Sequence, residues 1–149
     1  MKLSTKGRYG LRAMVDLAVH SKGEHVSLSS IAERQEISTN YLEQVFSILR
    51  KSGLVKSVKG AQGGYVLSEK AADIKVGRIL RALEGPLTVI DQNEESSDTP
   101  QSKIQHCLKI CVWDKMNESL NNMVDSITLE DLAEDYRKKN GMHDVMYYI

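Results

Sequence analysis

The sequence has no apolar run approaching the roughly 18–20 residues that span a bilayer, and its first residues lack the apolar core of a secretory signal. Only two cysteines, Cys107 and Cys111, occur in 149 residues, which excludes a disulfide scaffold. A cytoplasmic location with reduced thiols and no membrane association is the expectation. The four histidines, His20, His25, His106 and His143, are scattered without metal-ligand spacing. There is no phosphate loop, and no serine or cysteine has a base near it in sequence. Nothing here points to catalysis, so the chain is read as a non-enzyme without cofactor or metal. Net charge is missing too, because 20 Lys+Arg balance 20 Asp+Glu.

That balance hides an asymmetry. Residues 1–85 carry 14 Lys+Arg against 8 Asp+Glu, whereas residues 86–149 carry 6 against 12. A basic N-terminal part points to an anionic partner such as nucleic acid. Two solvated faces of different charge are the plainer alternative. The length suits one ordinary domain plus an appendage.

The stretch 38–67 carries the clearest local pattern. Ser38 is a good N-cap, and Leu42, Val45, Phe46 and Leu49 recur at three- and four-residue steps, which predicts a helix with one apolar face. Gly53 suits the left-handed residue that ends it. Two short strands, Leu54–Val58 and Gly64–Leu67, follow, joined by the glycine-rich Lys59–Gly63. A helix followed by a hairpin with a basic tip reads as a recognition helix and wing, although an ordinary αββ packing unit has the same outline. Upstream, Ser27 caps a short helix, Leu28–Glu36, only two or three residues from the next. Two helices so closely joined form a helix-turn-helix. Met1–Lys22 reads as a first helix, capped by Ser4 or Thr5, with Lys2, Lys6, Arg8 and Arg12 near its start. Its amide end and these cations would make a phosphate site. Tyr9 either adds a hydroxyl contact or packs in the core.

The fold class expected is mainly α with a small β wing: a winged helix-turn-helix domain over 1–85, a flexible acidic loop over 86–100, and a dimerisation helix, last helix and tail over 101–149. Within the first domain, Val76–Leu83 forms a fourth helix stopped at Gly85-Pro86. Asp91–Pro100 has no apolar residue and reads as a mobile loop. In the helix from about Gln101 to Val124, Ile104, Leu108, Cys111, Val112, Met116, Leu120 and Met123 form a stripe that needs a covering partner. A twofold mate is the first expectation, and the chain's own first helix the second. Thr128 caps a last helix, Leu129–Lys139, ended by Asn140-Gly141.

MKLSTKGRYGLRAM, STNYLEQVFSILRKSGLVKSVKG and GGYVL resemble a family of bacterial winged-helix regulators that includes the iron–sulfur regulator IscR, the nitric-oxide sensor NsrR and the cysteine-metabolism repressor CymR. The likeness covers residues 1–139. It implies a homodimer on palindromic, double-stranded promoter DNA, with the recognition helix in the major groove and the wing at the minor groove. Carried over, Ser38, Asn40, Glu43 and Gln44 face base edges, with glutamate accepting from cytosine and amides pairing with adenine, and Thr39 is a further DNA contact. Tyr41, Lys2, Lys6, Arg8 and Arg50 hold phosphates. Lys59 stands where relatives often carry arginine, and lacks its planar fork.

Relatives with a [2Fe–2S] centre supply three cysteines and a histidine three residues after the last. Cys107 matches that last cysteine, but the histidine position is Ile110 and no cysteine lies in Leu87–His106. The expectation is therefore no cluster, with both thiols packing at a dimer interface. A cluster-type or thiol redox sensor is the alternative function. The ending Asp144-Val145-Met146-Tyr147-Tyr148-Ile149 is similar to the tail of the cysteine-metabolism repressor and to that of serine acetyltransferase, which docks in cysteine synthase. The resemblance thus implies a repressor of cysteine and sulfur genes whose Tyr147, Tyr148 and Ile149 bind that enzyme. A tail that packs on its own dimer is the simpler reading.

Overall fold

The computed structural model describes residues 1–90 and 101–148, with side chains at all of these except 101–102 and 142–148. The stretch 91–100 expected as a mobile loop, the side chains of Tyr147 and Tyr148, and Ile149 lie outside the described residues.

Helix α1 spans Thr5–His20, shorter than Met1–Lys22 at both ends. Ser4 stops it at the front by accepting from the Gly7 amide, and the positive φ of Lys22 and Gly23 turns the chain behind it. Helix α2, Leu28–Gln35, starts at the Ser27 cap and ends where Glu36 takes a left-handed conformation, φ 55°. That residue turns the chain sharply enough for α3, Thr39–Lys51, to begin three residues later. Gly53, φ 78°, closes α3 as its glycine predicts, and the Leu54 amide still donates to Leu49 O. Strand β1 therefore begins at Val55, one residue later than expected, and runs to Val58.

Strand β2, Gly64–Leu67, pairs with β1 antiparallel, Val55 opposite Leu67 and Val58 opposite Gly64. A single bridge between Val26 and Tyr65 adds the chain ahead of α2 to this hairpin. Gly64 sits so close to Val26 O that any Cβ there would collide with it. A 3₁₀ turn at Ala71–Asp73 leads to α4, Val76–Glu84, and Gly85 at φ 84° ends it.

The main core lies between α1, α2, α3, α4 and the hairpin, around the fully buried Met14, Leu17, Ile31, Leu42, Phe46, Leu49 and Ile79. Full burial of such side chains contributes about 1.5–3 kcal/mol each. Phe46 also stacks at a tilt on Tyr65, 4.9 Å between ring centroids, fixing the wing to α3. One carboxylate enters this interior. Asp16 accepts from Arg34 Nη2 at 2.7 Å, Arg34 Nε at 3.0 Å and Gln35 Nε2 at 2.9 Å, so α1 and α2 are locked by a paired charge. Fully satisfied, such a group fixes one packing of the two helices.

The second half is built on α4. Helix α5, Gln101–Leu108, passes through a π-helical turn, Lys109–Trp113, into α6, Asp114–Asp125, so the long helix is one rod with an interruption. Steps of four residues drift about 40° around a regular helix. Ile104, Leu108, Val112, Met116 and Leu120 would therefore spiral around an uninterrupted rod. The π turn, with its i→i+5 bonds, holds more residues per turn and takes back part of that drift. Val124 packs with Val76, Leu80 and Leu87 in a second small core, and Arg81 clamps Asp125 with two contacts of 2.8 and 2.7 Å. Helix α7, Leu129–Tyr148, inserts Leu129 and Ala133 into the main core. It does not stop at Asn140-Gly141 as expected. Glycine inside a helix costs only about 1 kcal/mol relative to alanine, and the residues on both sides continue the helix.

Candidate nucleic-acid interface

Burial of one face of α3 decides what the other face can do. Leu42, Val45, Phe46 and Leu49 point into the core, which leaves Thr39, Asn40, Glu43, Gln44 and Arg50 exposed on the outer side, with Ser38 beside them. Ser38 is committed as the cap, its Oγ accepting from the Tyr41 amide at 3.1 Å. The result is a rigid row of short polar side chains with acceptor, donor and mixed amide groups. Such a row has the chemistry to read base edges.

Next to this row lies a basic flank from another element. Lys2, Lys6, Arg8 and Arg12 are all exposed. Tyr9 connects them to α3: its ring meets Tyr41 edge-on at 6.0 Å, while the Arg12 and Arg8 guanidiniums lie 5.1 and 5.9 Å from its centroid. Tyr9 and Tyr41 are each half-buried, and both rings pack against the main core. Arg12, one of the cations expected near the start of α1, lies in this flank, and its Nη2 also donates to the Gln35 carbonyl.

The amide end of α1 is already partly occupied. Glu84, at the end of α4, accepts from the Ser4 amide at 2.9 Å, from the Gly7 amide at 3.0 Å and from the Ser4 hydroxyl. A carboxylate from within the chain thus stands where the sequence placed a phosphate, because an anion at a helix N-terminus is stabilised whatever its source. The cations, not those two amides, are what α1 leaves for an external anion.

The wing tip is shaped by glycine. Lys59, exposed, leaves β1, Gly60 takes φ 119°, and a Cβ on Gly63 would strike Val58 O. His25 Nε2 donates to the Gln62 carbonyl and ties the tip to the turn before α2. That tie could not be read from sequence, since the two residues are 37 positions apart.

On the long helix the expected stripe is bare. Ile104, Leu108, Val112, Met116 and Met123 are exposed, Ile104 to 69%, as is Cys111, while Leu120 is half-buried against the second core. Ile110, half exposed, adds to this apolar surface. Cys107 and Cys111 are both exposed in the single chain, with Sγ atoms 4.0 Å apart. The hydrogen bond to Cys111 pushes the Cys107 thiol above the ordinary range. Iron–sulfur chemistry needs about four thiolate or imidazole donors. Among the described residues no three His, Cys, Asp or Glu side chains gather to hold a metal. No helix among the described residues is long and apolar enough to cross a membrane.

Residues 3–135 match the sequence profile of the Rrf2 family, described as iron-dependent transcriptional regulators. The chain is 43% identical to the HTH-type transcriptional regulator CymR of Bacillus subtilis over 134 residues, 89% of this chain and 90% of that one. Its fold is similar to that of CymR, the global cysteine regulator of B. subtilis, with TM-score 0.75 and 42% identity, covering 90% of this chain and 97% of that chain. It is also similar to the structure of T. potens IscR, with TM-score 0.73 and 48% identity, covering 93% and 90%. The polar face of α3, the hairpin behind it and these likenesses agree: the chain belongs to the Rrf2 family of DNA-binding transcriptional regulators.

Proposed function

We propose that this regulator is a cytoplasmic homodimer that represses cysteine and sulfur metabolism genes, and that cysteine synthase is its partner. Two copies meet along the stripe Ile104, Leu108, Cys111, Val112, Met116, Leu120 and Met123, of which all but the half-buried Leu120 are exposed in the single chain. Dimers of helix-turn-helix proteins read half-sites one helical turn apart. On each half-site Ser38, Thr39, Asn40, Glu43 and Gln44 contact bases in the major groove. Lys2, Lys6, Arg8, Tyr41 and Arg50 hold phosphates, and Lys59 lies at the minor groove. The units 1–85 and 101–149 divide these tasks, joined by the acidic segment 86–100.

What supports the cysteine regulon is the likeness of the C-terminal tail to that of the cysteine-metabolism repressor, together with the 43% identity to CymR over nine-tenths of both chains. Tyr147, Tyr148 and Ile149 dock in the active site of cysteine synthase, where apolar pockets take their side chains. O-acetylserine competes for that site and releases the enzyme, a coupling through differential affinity for the two states. Titration of a cysteine-operon promoter fragment tests this, with and without cysteine synthase and with O-acetylserine added last. Tighter binding with the enzyme, relieved by the metabolite, is expected. Binding indifferent to both overturns the metabolic assignment.

A further inference from the structure

The wing is firmly held at its base and scarcely held at its tip. At the base, Val26 and Tyr65 exchange two backbone hydrogen bonds of 2.9 and 2.8 Å, and Tyr65 rests on Phe46. Beyond it, Lys59, Gly60, Ala61 and Gln62 are all exposed. The Gly63 amide donates to Gly60 O at 3.0 Å, which closes the loop only on itself. An open cleft, lined by Ser29, Ser30 and Arg34 of α2 and by Ala61, Gln62 and Gly63, separates the tip from α2. Among the described residues, the hydrogen bond from His25 Nε2 to the Gln62 carbonyl is the one that ties Lys59–Gly63 to a residue outside the hairpin. His25 makes it from a fixed backbone. Its neighbour Val26 is buried and bridged to Tyr65, and behind it the chain is turned by positive φ at Lys22, 25°, and Gly23, 81°.

A short two-stranded hairpin is marginally stable by itself, and glycines at positions 60 and 63 leave its loop free to take many conformations. A mobile tip loses affinity to the ordering that binding demands, whereas a tip already in place does not. Placement matters at this site in particular. The minor groove is about 6 Å wide and separates mainly A·T from G·C pairs, and its width varies with sequence. A cation discriminates between such grooves only if its position is fixed. On the reading that places the wing at the minor groove, we propose that His25 is a positioning residue for DNA recognition. By holding the Gln62 carbonyl it sets where the tip presents Lys59, and with that the choice between A·T and G·C at the outer base pairs under the wing. His25 itself touches no base. It acts through Gln62 and Lys59, and the role requires an N–H donor rather than a charge.

The test selects an operator from a random pool of duplexes with the full-length wild type. It then measures affinities for that operator and for versions in which A·T and G·C pairs are exchanged one position at a time. The wild type is expected to separate A·T from G·C several-fold at the outer pairs under the wing. His25→Ala is expected to lose that separation while keeping its ranking at the major-groove positions and its denaturant midpoint. His25→Gln, which keeps an N–H donor, is expected to recover it. Lys59→Ala should remove the same separation, and adding His25→Ala to it should change nothing further, because the two act as one unit. If Lys59→Ala leaves every outer pair unchanged, the wing reading fails and the role of His25 falls with it. If Lys59→Ala removes the separation but His25→Ala keeps it, the wing reading stands and the proposal is overturned. Uniform weakening of all duplexes by His25→Ala, not recovered by His25→Gln, would make His25 a phosphate contact and overturn it as well.

Discussion

The Glu84 carboxylate accepts the Gly7 amide at 3.0 Å across 77 residues, so the end of α4 caps the start of α1. A helix N-terminus normally takes its cap from the residue that opens it, and Ser4 serves there too, its Oγ 3.4 Å from the same amide. Glu84 adds a charge next to positive amide ends. It also binds the two parts of the chain that carry the basic flank and the second core.

Removing that carboxylate as Glu84→Ala should cost about 0.5–2 kcal/mol, the range for a lost cap. Glu84→Gln should recover part of it, since the amide oxygen still accepts. Denaturant midpoints of the three proteins decide this, and an unchanged midpoint for Glu84→Ala would show the cap to be ornamental.

Gly10 faces α4 from the same side. A Cβ there would overlap Leu83 and lie 3.2 Å from Val45 Cγ1. In an open helix, glycine to alanine gains about 1 kcal/mol. In this packed crossing, Gly10→Ala should instead lose about 1–3 kcal/mol through overpacking. A stabilised Gly10→Ala protein would contradict the close approach of α1 and α4.

The clamp between α4 and α6 sets a pH dependence. Hydrogen bonding to Arg81 holds the Asp125 carboxyl below its ordinary value of 3.8, and the same contact holds Arg81 charged to higher pH than usual. Because the folded value is the depressed one, the contribution of the pair is complete above the ordinary value and is lost as pH falls through the folded value. Stability at neutral pH should therefore be lower for Asp125→Asn, while its decline on acidification below pH 3.8 should be shallower. Equal acid limbs for the two proteins would remove the pair from the account.

Local signals in the sequence located most of the elements. Ser27 and Ser38 each announce a helix through a cap that the backbone uses, and Gly53 and Gly85 mark ends that need positive φ. The outer face of α3 followed from the burial of Leu42, Val45, Phe46 and Leu49, because the residues between them had nowhere else to point. What escaped was long-range or non-periodic. Glu84 at the end of α1 and His25 at the wing tip are pairings across 77 and 37 residues, for which no local pattern exists. The π turn at Lys109–Trp113 has no cap, glycine or proline to announce it, and shows only as a stripe whose four-residue steps do not suit a regular helix. Asn140-Gly141 misled in the other direction, because a stop signal is a weak preference and α7 runs past it.

The division of labour between α3 and α1 is the central claim, and one measurement tests it most directly: the affinity of wild type, Glu43→Ala and Lys6→Ala for a panel of operators differing at single base pairs, each at several salt concentrations. Glu43→Ala should change the ranking of operators at the position it reads, by about 1–3 kcal/mol for the preferred base. Lys6→Ala should weaken all operators alike and reduce the salt slope by about 0.9, the loss of one phosphate contact. Uniform losses across the panel for both variants would contradict the assignment of α3 to bases and α1 to the backbone.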